Sequence, residues 1–151
     1  MVNVSDPEEL FSESRFNEYC TENKLKFPKE YVDFLRKHND GELDANTVNG
    51  YDECSVRYFY GTTSESYSNL SDVFSCFAER MPKNCIPIAE AECGNLVFIS
   101  LEENTYGKIY FWDHETMDVD DGEQCKYEIN DMPVVANSFA DLLNKILSTI
   151  Y

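Results

Sequence analysis

The chain has 151 residues, 42% of them hydrophobic and 14% aromatic, the length and apolar content of one packed domain, which argues against several domains and against wholesale disorder. Acidic residues number 29 against 12 Lys and Arg, a formal net charge of -17 with a pI near 4.3. That balance disfavours binding to a phosphate backbone or an anionic membrane, both of which need cationic side chains, and favours solubility and fast encounter with a basic partner.

In chain order, the segment MVNVSDPEEL has neither a basic n-region nor an apolar h-region, so no secretory leader is expected there. A first helix is expected over residues 7–22, with Ser5 or Asp6 as N-cap and Leu10, Phe16 and Tyr19 among its apolar positions. The next opens at Pro28, carries the stripe Tyr31, Phe34, Leu35 and His38, and stops at Asn39-Asp40-Gly41. Residues 43–49 and 55–60 read as extended, being β-branched and aromatic between Asn, Asp and Gly punctuation. Leu70, Val73, Phe74, Phe77, Ala78 and Met81 recur at three- and four-residue steps, an amphipathic helix that Pro82 ends. Strands are expected over 85–89, 95–101 and 108–113, the last two as a hairpin across 102–107. An acidic loop follows, then short strands over 125–129 and 133–136. The last helix has Ser138 as N-cap, Asp141 in the capping-box position and a face of Phe139, Leu142, Leu143, Ile146, Leu147 and Ile150. With no repeat and no linker, the pattern predicts one α+β domain over residues 1–151, a mixed, mostly antiparallel sheet packed against several helices.

The six cysteines are Cys20, Cys54, Cys76, Cys85, Cys93 and Cys125. No C-x-x-C pair occurs, Cys76 falls within an apolar helical stripe and Cys20 within another helix, so they read as free thiols in a reducing cytoplasm. The apolar run Leu96-Val97-Phe98-Ile99 is far shorter than the ~20 residues that cross a bilayer.

Two groups of residues carry a family resemblance. Phe27-Pro28-x-x-Tyr31-x-x-Phe34-Leu35 followed by Asn39-Asp40-Gly41 resembles the "LP-x-x-Y-x-x-FL … NGG" segment of SMI1/KNR4 proteins, the SUKH superfamily. Ile86-Pro87-Ile88-Ala89, Gly94-Asn95-Leu96-Val97-Phe98-Ile99-Ser100-Leu101 and Gly107-Lys108-Ile109-Tyr110-Phe111-Trp112-Asp113-His114-Glu115 are similar in order and spacing to that family's central sheet, and the terminal helix opening Ser138-Phe139 also fits. Two positions depart from the pattern: Glu42 stands in place of a second glycine, and Glu92-Cys93 replaces glycines before Gly94-Asn95. The resemblance implies helices around a mixed sheet and, for most bacterial members, an immunity protein that binds and neutralises a toxin, often a nuclease. It also implies, through the SMI1 branch, the alternative of a regulatory or scaffolding module.

Read on its own chemistry, the loop from Asp113 to Glu123 does not make an EF-hand. Aligning Gly122 with the loop's glycine puts Met117 and Val119 where oxygen ligands are required. Only His38 and His114 occur, Asp113 and His114 alternate to opposite strand faces, and no nucleophile signature surrounds any cysteine, so no catalytic residue, metal ligand or cofactor is assigned. A small metal-dependent hydrolase built on this loop is the third reading. Gly94-Asn95 lacks the helix and lysine of a phosphate loop and reads as a tight turn. Tyr58, Phe59 and Tyr60 alternate across a strand as ordinary sheet packing does.

Acidity is what remains as a functional signal. Asp40, Glu42, Asp44, Asp52 and Glu53 form one cluster, Glu90 and Glu92 a second, and Asp118, Asp120, Asp121 and Glu123 a third, all expected in loops. If those loops gather at one edge of the sheet they present a polyanionic face to a basic protein partner, with Tyr51, Tyr67 and Tyr106 as aromatic anchors. Taken together with what the resemblance implies, the expectation is a cytoplasmic, cofactor-free immunity protein whose partner is a cognate toxin with a basic active face, acting without turnover and touching neither nucleic acid nor membrane.

Overall fold

The structure is a computed structural model in which residues 9–39, 47–48, 51–65, 68–78, 80–91, 95–113 and 132–147 are described, the side chains of 47–48, 51–55 and 147 excepted. Helix α1 (Glu13–Asn23) begins where Ser12 Oγ accepts a hydrogen bond from Arg15 N. It starts later than the expected Pro7, and Leu10, expected on its apolar face, is 87% exposed. The reason is tertiary. Ser12 N donates to Thr62 Oγ1 and the Glu9 carbonyl accepts from Asn39 Nδ2, so these backbone groups bond to distant segments instead of continuing a helix. The helix ends at Lys24, which takes a left-handed conformation (φ 56) and donates to the Cys20 and Thr21 carbonyls.

Helix α2 (Lys29–His38) follows Pro28 and carries Arg36, Lys37 and His38 in its last turn, where cations complement the helix dipole. Strands β1 (Thr47–Val48), β2 (Tyr51–Phe59), β3 (Cys85–Ala91), β4 (Leu96–Ser100), β5 (Ile109–Trp112) and β6 (Val134–Ala136) form one sheet in sequence order. Every described strand pair is antiparallel, and the parallel element is an isolated bridge between Gly61 and Asn69. β2 starts at Tyr51, ahead of the expected residue 55, while the strand expected over 125–129 lies outside the described residues.

Helix α3 (Leu70–Phe77) sits in the β2–β3 connection and opens with Asn69 Oδ1 accepting from Ser71 N and Asp72 N. It stops before the expected Met81, which is nonetheless buried. Cys76 is exposed and not part of the apolar stripe, because Leu70, Val73, Phe74 and Phe77 define a face from which position 76 is turned away. Helix α4 (Phe139–Leu147) begins as expected, with Asp141 N donating to Ser138 Oγ; the Asp141 carboxylate accepts from Asn137 N, one residue before the cap. Phe139, Leu142 and Ile146 are fully buried.

Strand alternation sorts the core into two layers. Phe59, paired with Ala89, faces α2 and α4: its ring lies 4.9 Å from Phe34 and 5.6 Å from Phe139, and Phe34 and Phe139 are 5.1 Å apart. Tyr58, Glu90, Leu96 and Trp112 are cross-strand partners in one row on the opposite face. There α3 closes the core, with Phe77 5.6 Å from Trp112 in an edge-to-face contact.

Candidate protein-interaction surface

Because the meander reverses at every strand, its strand termini fall at two ends of the sheet. At one end lie the start of β2 with Tyr51, Asp52 and Glu53, the end of β3 with Glu90, the start of β4, and the end of β5, from which Asp113 follows. In sequence, Asp113 leads into Glu115, Asp118, Asp120, Asp121, Glu123, Glu128 and Asp131, with Lys126 the one cation of that stretch. Glu92 follows the end of β3 in the same way. The opposite end carries Gly61, Asn84 and the β4–β5 connection, a single 3-10 turn (Glu103–Thr105) closed by Gly107 at φ 84.

The placement of the candidate residues differs from expectation in two respects. Asp52, Glu53 and Glu90 are in strands, not loops. Glu90 is paired with Tyr58 and Leu96, and Asp52 and Glu53 lie between the paired residues Tyr51 and Ser55, so tertiary strand pairing overrides the weak strand preference of Asp and Glu. Tyr106 lies at the far end of the sheet from them, where its hydroxyl donates to the Lys26 carbonyl at 2.6 Å and ties the β4–β5 turn to the α1–α2 connection. Asp40, Glu42, Asp44, Tyr67, Glu92, Asp118, Asp120, Asp121 and Glu123 lie outside the described residues, as do Cys93 and the Gly94 turn.

Sequence reasoning missed Arg57. A bulge in β2 between Val56 and Tyr58 accommodates it, and its Nη1 lies 3.2 Å from Glu90 Oε2. The guanidinium also stands 6.0 Å from the centroid of the Tyr58 ring, and Tyr58 meets Tyr60 edge-on at 5.9 Å. Burial, with the Glu90 charge nearby, pushes the Tyr60 hydroxyl pKa up. Along the same row Arg80 covers Trp112 at 5.1 Å.

A separate cleft of about 270 Å³ opens between α1 and α3, lined by Arg15, Glu18, Tyr19, Glu22, Gly61, Thr62 and residues 69–72. No local pattern marks it, since its walls come from segments far apart in sequence. Among the described residues, no three His, Cys, Asp or Glu side chains gather as metal ligands, and no helix is long and apolar enough to cross a membrane.

The fold is an antiparallel meander flanked by α2 and α4 on one face and α3 on the other. The model of the SMI1 / KNR4 family (SUKH-1) matches residues 11–145, and the chain belongs to that family. It is similar to the SPbeta prophage-derived uncharacterized protein YokK of Bacillus subtilis (strain 168), being 27% identical over 138 residues. That match covers 78% of this chain and 65% of the relative, so the chain spans about two-thirds of the relative's length.

Proposed function

We propose that this protein is an immunity protein that binds and neutralises a cognate protein toxin by covering the toxin's basic active face with the acidic end of its sheet. The carrying observation is the meander itself: Asp52 and Glu53 near the start of β2, Glu90 near the end of β3 and Asp113 just past β5 fall at one end of the sheet, and the sequence that follows Asp113 is the most acidic in the chain. Membership of the SMI1/KNR4 family supports a protein partner. A nuclease suits the charge best, because a cleft that holds a phosphate backbone is lined with cations, and a protein-borne polyanion competes for it directly. Inhibition then needs only occupancy, with no cofactor and no turnover, and takes place in the cytoplasm of the producing cell.

The test is co-expression with the toxin domain encoded beside the gene, scored as rescue of growth. Rescue, together with a kon that falls steeply as salt approaches ~0.15 M, where the Debye length is ~8 Å, supports occupancy by charge. Association without rescue points instead to the scaffolding role of the SMI1 branch. Loss of a hydrolytic activity on Asp113→Asn would replace both with an enzyme.

A further inference from the structure

We propose that Arg57 is an internal counter-ion that holds Glu90 in the free protein and must be displaced by the cation of an incoming basic partner. This rests on the acidic end of the sheet being the docking surface. Arg57 enters the sheet in the β2 bulge and lies 3.2 Å from the Glu90 carboxylate. The arginine side chain is 56% exposed and that of Glu90 25%, so solvent and a partner reach the pair from the arginine side. In the cross-strand row Tyr58, Glu90, Leu96, Trp112 the other three side chains are aromatic or aliphatic, which leaves Glu90 as the row's one anionic contact.

An exposed ion pair is weak in water and opens readily, so Arg57 is a competitor that a well-placed guanidinium or ammonium replaces, not a permanent lock. Its effect is selectivity. A partner that cannot supply a cation at Glu90 meets a pair already neutralised, whereas one that can gains Glu90 and frees Arg57 into solvent.

The probe is decalysine, titrated against the full chain at low ionic strength. Arg57→Gln is expected to tighten binding about two- to fivefold, the scale of one exposed pair. Glu90→Gln alone is expected to change it little, because Arg57 already occupies that carboxylate. In the double variant Arg57→Gln/Glu90→Gln most of the gain should vanish, a non-additive cycle. Lys26→Gln, the same charge change at the opposite end of the sheet, is the control. Equal tightening by Lys26→Gln and Arg57→Gln, or strict additivity with Glu90→Gln, would overturn the proposal, since either result means bulk charge alone is at work. The decalysine cycle and the growth rescue are independent readouts. A coupled cycle without rescue keeps the counter-ion role and removes the toxin reading; rescue with an additive cycle does the reverse.

Discussion

Asn39 and Thr62 are joined through both ends of one side-chain amide: Asn39 Oδ1 accepts from Thr62 N at 2.8 Å and Asn39 Nδ2 donates to the Thr62 carbonyl at 3.1 Å. The same Nδ2 donates to the Glu9 carbonyl at 2.9 Å, so an asparagine 1% exposed holds together the N-terminal segment, the end of α2 and the exit from β2. It does so at φ 42, a positive φ that glycine adopts more readily than residues with a Cβ. Asn39→Ala is expected to cost about 1–3 kcal/mol, the scale of buried groups left unpaired. Asn39→Gly should cost less than Asn39→Ala, because glycine adopts the positive φ without strain. A Cβ on Gly61 would lie 2.3 Å from Asn39 Oδ1 and 3.0 Å from the Asn39 carbonyl carbon, so Gly61→Ala should destabilise at least as much as Asn39→Ala. Urea unfolding of the three variants checks the order, and an Asn39→Ala protein as stable as wild type would remove the clamp.

Phe139 tests the packing of α4. Its ring contacts Tyr31, Phe34 and Phe59 and has no exposure, so Phe139→Ala should lose about 3–5 kcal/mol in chemical denaturation. A loss below about 1 kcal/mol would mean that α2, α4 and β2 do not share this contact.

Alkaline pH should weaken the fold. Burial pushes the Cys20 thiol up to about 11 and the Cys85 thiol up to about 12, against 9.0 for the free group, and raises the Tyr19 and Tyr31 hydroxyls as well. A folded state that keeps its protons where the unfolded chain releases them is fully stabilised below the unfolded value and loses that contribution as pH rises toward the folded one. Thermal melts at about pH 8 and about pH 10.5 should therefore show a falling Tm, with a shallower fall in Cys85→Val. A Tm unchanged across that window would contradict the burial of these groups.

Thiol accessibility separates the described cysteines. Cys76 is exposed, Cys20 half-buried and Cys85 buried. A brief iodoacetamide pulse followed by peptide mapping is expected to label Cys76 first and Cys85 last, the latter both occluded and protonated. Early labelling of Cys85 would contradict the closed β3–β4 layer.

Composition and periodicity were enough to specify a single α+β domain, the helix at Pro28, the helix opening at Ser138, the three strands that include Ile86, Val97 and Phe111, and the excess of negative charge. These are local properties, carried by caps, turns and the spacing of apolar side chains along a few residues. The start of α1 was not legible, because the hydrogen bonds that keep residues 9–12 out of the helix come from Asn39 and Thr62, far along the chain. For the same reason Asp52, Glu53 and Glu90 read as loop residues: only pairing with neighbouring strands makes an acidic segment extended. Which acidic segments share an end of the sheet, that Tyr106 sits away from them, and that Arg57 meets Glu90 depend on strand direction and on one bulge, and these are set when the chain packs rather than by any segment alone.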